Sequence, residues 1–111
     1  MIFFSQICTD VEQSERLIAL GLKKETADMV HMAGELRKYY HPKALPVFAE
    51  DYFRVFPDVL PAWSLHRLIE LAYGNWKEDI VPIYLENSYD MLIGRIEFQV
   101  KQGKFNKEYL V

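Results

Sequence analysis

Two stretches of this chain carry apolar residues at helical spacing, and the rest reads as short pieces between turn signals. Leu65, Leu68, Ile69 and Ala72 fall at i, i+3, i+4 and i+7, one stripe of an amphipathic helix. Ser64 is its N-cap, with a hydroxyl able to accept a backbone N–H one turn ahead. Trp63, before the cap, and Leu68, at the fourth helical position, have the spacing of a hydrophobic staple. Pro61 keeps Leu60 out of helical geometry, and Gly74 is placed to end the helix. The second stripe is Tyr89, Leu92, Ile93, Ile96 and Val100. It predicts the longest helix, capped by Asn87 or Ser88, supported by Glu97 to Lys101 at i,i+4 and stopped by Gly103 after about Lys101. Gly94 inside it marks an expected close approach by a neighbouring backbone.

A further helix over residues 9–20 follows from its ends. Thr9 and Glu12 have capping-box spacing, Glu12 and Arg16 form an i,i+4 pair, and Gly21 closes the helix so that Leu22 packs back on Leu17. Residues 25–41 admit two readings. One is a helix capped by Thr26, with Met29, Val30, Ala33, Leu36 and Tyr40 as its stripe. The other is a pair of strands, 29–33 and 36–40, turning at Gly34-Glu35. Gly34 favours the hairpin, because a mid-helix glycine costs about 1 kcal/mol. Pro42, Pro46 and Pro57 divide the next stretch into a short strand at Val47-Phe48 and a helical turn over Ala49 to Phe56, with Tyr52, Phe53 and Phe56 turned inward. Ile2-Phe3-Phe4 reads as a short strand or an apolar tail on the core. Gly74-Asn75 reads as a turn, Ile80 to Leu85 as a β-rich run held to an edge by Pro82, and Tyr109-Leu110-Val111 as a pinned final strand. The predicted architecture is one α+β domain over residues 1–111, about three helices packed on a small, mainly antiparallel sheet.

Composition narrows the class. Half of the 111 residues are apolar, 14% are aromatic and 26% are charged, enough for a packed core and unlike a disordered chain. Thirteen bases against 16 acids give a net charge of −3, mixed along the chain, whereas general nucleic-acid binding needs a concentrated basic face. The lone Cys8 excludes an internal disulfide and fits a reducing compartment. The N-terminus lacks the positive region and apolar length of a signal peptide, and no run approaches the roughly 18 apolar residues of a membrane span. A cytoplasmic protein without membrane contact is the expectation.

Candidate chemistry is sparse. His31, His41 and His66 are far apart in sequence and Cys8 is remote from them, with no HxxH or CxxC pair, so no metal site and no cofactor is expected. Ser64 and His66 stand two residues apart on a helix, where side chains diverge, and Ser64 is better explained as a cap. Cys8 at a helix start could carry a lowered pKa; without a base beside it, it reads as a small buried apolar group. Glu50-Asp51 and Glu78-Asp79 are adjacent acids on predicted loops, where acids are solvated. There is no phosphate-cradling glycine loop and no nucleophile elbow. Arg37-Lys38-Tyr39-Tyr40-His41 has the composition of a single-strand-binding surface, set against the net negative charge.

Taken in order, Gln13 to Leu22, Thr26-Ala27-Asp28-Met29, Pro61-Ala62-Trp63-Ser64-Leu65 with its Leu-Ile-Glu continuation, and the closing helix with its Lys-Glu-Tyr-Leu tail resemble a set of small uncharacterised proteins of gut Bacteroides-type bacteria, often carried on prophages and mobile elements. The resemblance is specific around Ala62 to Leu65 and loose over residues 30–58. It implies a bacterial or phage cytoplasm and no chemistry. The leading expectation is a non-enzymatic accessory protein acting through protein–protein contacts, as a homodimer or on a host or phage partner. Seven Phe, seven Tyr and two Trp exceed what a core this size need hide, and Tyr39, Tyr40, Tyr52 and Trp76 are the candidate contact residues. The alternatives are a ligand-binding protein or enzyme with a pocket of dispersed residues, and a nucleic-acid-associated phage protein.

Overall fold

The computed structural model describes residues 6–38, 41–45, 49–74 and 89–111. Helix α1 (Val11–Ala19) opens the fold, and strand β1 (Met29–His31) follows after a 3-10 turn at Lys24–Thr26. Strand β2 (Lys43–Ala44), helix α2 (Ala49–Val55) and strand β3 (Leu60–Ala62) come next, then helices α3 (Leu65–Tyr73) and α4 (Tyr89–Lys101). The strands form an antiparallel sheet in the order β2-β1-β3, with Met29 opposite both Ala44 and Ala62. The α+β architecture is therefore as expected from the sequence.

The ends of α1 show how local chemistry builds this layout. Asp10, one residue later than expected, is its N-cap: its carboxylate accepts the Gln13 N–H at 2.8 Å while the Gln13 side chain accepts the Asp10 N–H at 3.0 Å. Thr9 is displaced from that role because its hydroxyl is buried and engaged elsewhere. At the other end Gly21, at φ 99°, lets the Leu22 N–H reach the Leu17 carbonyl at 3.3 Å and the Gly21 N–H reach Ile18 at 2.9 Å. Leu17 and Leu22 meet in the core as that ending requires. Arg16 does not serve as an i,i+4 partner along its own helix; it reaches across to Glu97 of α4 at 3.3 Å.

Residues 25–41 are half the predicted hairpin. Met29–His31 is a strand, but Gly34–Lys38 is a 3-10 turn. Gly34, at φ 53°, opens that 3-10 turn, and β1 takes β2 and β3 as its neighbours in place of residues 36–40. Pro61 sits in β3 opposite Val30; β3 is an edge strand, where a missing N–H leaves no ladder bond broken. Phe53 of α2 packs with Val30 and Val59 in a small cluster under the sheet, whereas Phe56, expected inward, is 51% exposed.

The main core lies between α1, α3 and α4. Trp63 is fully buried there with Leu68, so the staple residues share one cluster, joined by Leu92, Ile93 and Ile96. The α4 stripe is buried as predicted, with Val100 packed at its margin. Gly94 does not mark a close approach: a methyl group built on it meets nothing within 4 Å among the described residues. The tail forms a 3-10 turn (Lys107–Tyr109) and is then pinned, not by a full strand but by one antiparallel bridge between Leu110 and Leu22. The predicted pieces at Ile2 to Phe4, Val47-Phe48, Asn75, Ile80 to Leu85 and the Asn87 or Ser88 cap lie outside the described residues.

Candidate functional site

Nucleophilic and titratable side chains converge in one place, where the start of α1, strand β1 and the start of α3 meet. Ser64 caps α3, accepting the Arg67 N–H at 3.2 Å. Its own hydroxyl donates to Asp28, whose other carboxylate oxygen accepts the Ser64 backbone N–H at 2.8 Å. Thr9 is laced to Trp63, the residue after β3, from both sides: its N–H donates to the Trp63 carbonyl at 2.8 Å, and its hydroxyl accepts the Trp63 N–H at 3.0 Å. That hydroxyl also shares a 2.7 Å hydrogen bond with Ser14 of α1. The Trp63 indole donates to the Thr26 hydroxyl at 3.0 Å, which donates in turn to the Lys23 carbonyl at 2.6 Å. No buried side-chain polar atom among the described residues lacks a partner.

This geometry assigns the groups structural work. A reactive serine needs a base to take its proton. The Ser64 proton goes to Asp28, a carboxylate fixed by its second bond to the serine's own backbone N–H, and the serine oxygen is held as acceptor at the helix end. Cys8 stands 3.9 Å from His31, a pairing that could suggest a thiol and its base. His31 Nε2 lies 2.7 Å from the Thr9 carbonyl, which can only accept, so this nitrogen carries hydrogen and has no lone pair for the thiol. Burial, then the negative charges of Asp28 and Asp10, push the Cys8 thiol up to about 11, away from the thiolate that nucleophilic chemistry uses. Cys8 is the buried apolar group expected from the sequence. Tyr89 is likewise shifted upward, by burial first, and donates to the Gln6 carbonyl at 3.1 Å.

The other singled-out groups stay apart. His66 is on the exposed face of α3, 3.2 Å from Glu70, and His41 is exposed. Asp51 is exposed beside Arg54, and Glu78-Asp79 lies outside the described residues. Among the described residues no three His, Cys, Asp or Glu side chains are grouped to hold a metal ion. An open groove of about 490 Å³ is lined by Lys23, Glu25, Thr26, Arg67, Glu108 and Tyr109. Its two bases are matched by two acids. Arg67 is committed to the Thr26 carbonyl at 2.7 Å and to Glu70 at 3.6 Å, and lies 5.7 Å over the Tyr109 ring. It serves as a strut between α3, the first 3-10 turn and the tail.

Apolar surface is the second feature. Val55 at the end of α2, Phe56 just past it, and Met91 and Phe98 of α4 are all at least half exposed. Tyr52 is half-buried, its ring edge-on to the buried Phe53 and 5.0 Å from Phe56, so it links core to surface. Tyr39, Tyr40 and Trp76 lie outside the described residues. Asp28 escaped the sequence reading: it is 36 positions from Ser64, and nothing local to either residue signals the pairing. No helix among the described residues is long and apolar enough to cross a membrane. No protein-family profile, curated protein or solved structure matches this chain.

Proposed function

We propose that this chain is a non-enzymatic accessory protein that works by contact with another protein. One observation carries the reading: the Ser64 and Thr9 hydroxyls at the helix starts are engaged in holding the fold and the Cys8 thiol is buried, while large apolar side chains at Phe56, Met91 and Phe98 stand in solvent. Apolar side chains grouped on a surface are the usual substrate of protein recognition, and Tyr52 and Phe56 pair in this way at the end of α2, next to the exposed Val55. The groove is open, lined by two acids as well as two bases, and its Arg67 is already engaged with Thr26 and Glu70, which ranks the ligand-binding reading below this one. The lone buried cysteine supports a reducing, cytoplasmic setting, and the sequence resemblance alone supports a phage or mobile element as the source.

Photo-crosslinking tests the proposal. A benzophenone side chain placed at Phe56 or Phe98 should give discrete protein adducts in the producing cell, and one placed at the exposed Glu15 should not. Equal, diffuse labelling at all three positions would remove the proposal.

A further inference from the structure

Helix α4 is apolar on two sides. Its inner stripe is spent on the core, yet Met91 is 52% and Phe98 62% exposed. They lie seven residues apart, one above the other on the outer face, with Gly94 on the same face between them. We infer that this face packs against α4 of a second copy of the chain, antiparallel, about a two-fold axis crossing the helix near Gly94 and Arg95. The inference deepens the protein-contact reading and rests on it.

A two-fold contact requires a surface that complements itself. Asp90 in the first turn and Lys101 in the last lie along the same edge of the apolar stripe at 100° per residue. Antiparallel pairing lays Met91 on Phe98 of the partner subunit and brings Asp90 to Lys101 of the partner subunit, and symmetry makes each contact twice. Parallel pairing would carry each charge to the opposite side of the seam in the second copy and bring neither Asp90 nor Lys101 to an opposite charge, so the charges favour the antiparallel orientation. Opposed helix dipoles favour the same choice. Gly94, with nothing within 4 Å of a methyl built on it among the described residues, lets the two backbones close up beside the axis. The present contacts of these charges, Asp90 with Gln13 at 2.9 Å and Lys101 with Glu97 at 3.4 Å, are exposed and can be shared. A 13-residue helix is roughly 20 Å long, so the contact sits at the small end of specific interfaces. The dimer is weak, with Kd on the order of 10–100 µM.

Sedimentation equilibrium of the full chain from about 1 to about 500 µM tests this, a range that spans the expected Kd. The wild type should pass from monomer to dimer. Phe98→Glu should raise Kd at least ~10-fold, and Asp90→Lys should raise it severalfold by setting lysine against lysine. The double swap Asp90→Lys with Lys101→Asp should return Kd to within about twofold of the wild type, because the pair is reversed intact. Circular dichroism checks that each variant folds, and Met91→Glu replaces Phe98→Glu should the latter fail. A monomer throughout the range, a dimer indifferent to Phe98→Glu, or a swap that restores nothing would each overturn the inference. A monomeric chain that still crosslinks to a different protein through Phe56 would remove the dimer and leave the broader reading standing.

Discussion

Replacing Ser64 by alanine separates a structural serine from an incidental one. The substitution removes the acceptor for the Arg67 N–H, a cap worth about 1 kcal/mol, and the donor to the Asp28 carboxylate, a charge-assisted bond worth roughly 1.5–3 kcal/mol. Asp28 is half-buried, so water recovers part of the second contribution and the lower end applies. The expected loss is about 2–3 kcal/mol, read from the urea midpoint at pH 7. At this chain length it corresponds to a fall in melting temperature of roughly 10 °C. A second substitution sharpens the test. Aspartate is as good an N-cap as serine in isolation, so Ser64→Asp would be harmless if capping were the whole role. Here its carboxylate would face Asp28 and lose the donated bond, and Ser64→Asp should cost at least as much as Ser64→Ala. A double-mutant cycle of Ser64→Ala with Asp28→Ala should show coupling of about 1 kcal/mol or more. A loss under about 0.5 kcal/mol for Ser64→Ala, or an aspartate variant as stable as the wild type, would refute the assignment.

Three other outcomes follow from the same structure. Gly94→Ala should stabilise the monomer by roughly 0.5–1 kcal/mol, because the helix gains a better former and the new methyl meets open space; denaturation at low micromolar concentration measures it. Cys8 should react slowly with a disulfide reagent at pH 8 and at the rate of a free thiol after unfolding; since its native pKa is raised from 9.0 to about 11, the stability it contributes is full below pH 9 and lost as pH climbs through that window. The Glu97 carboxyl is held below its ordinary value, first by the hydrogen bond from Arg16 and then by Lys101, so its contribution is present above the usual glutamate range and fades as pH falls through the lower native value. A carboxyl NMR titration should show that depressed value, and Arg16→Met should move it back up.

What could be read from the chain was set by range. The α3 start was legible because Trp63, Ser64 and Leu68 act within two turns, and the α4 stripe because five apolar residues repeat at one period. The Schellman ending at Gly21 was legible for the same reason. Thr9 was misread because its chemistry is not local: a hydroxyl at capping distance from Glu12 is recruited by Trp63, 54 positions away, and the cap passes to Asp10. Gly34 was misread in kind, since a glycine between two apolar runs serves a 3-10 turn as well as a hairpin, and tertiary pairing with Lys43–Ala44 decides. Gly94 reads in sequence as a sign of close packing within the chain, yet among the described residues nothing approaches it.

The polar knot and the open surface have a common cause. An aspartate, a threonine and a histidine that each bind backbone atoms of a distant segment, Asp28, Thr9 and His31, tie the starts of α1 and α3 to β1 and the end of β3 without large side chains. Such bonds stabilise only while their donors and acceptors stay committed, because a buried polar group that leaves its partner costs about 1–3 kcal/mol. Turnover chemistry needs the opposite: groups that change partners as protons move. A site that fixes several segments at once through the same oxygen atoms meets the first of these demands, which is the ground for the non-enzymatic proposal. Under the proposal above, the contact chemistry lies on exposed apolar side chains such as Phe56, just past α2, and Phe98 of α4, where substitution should change contacts and leave the knot intact.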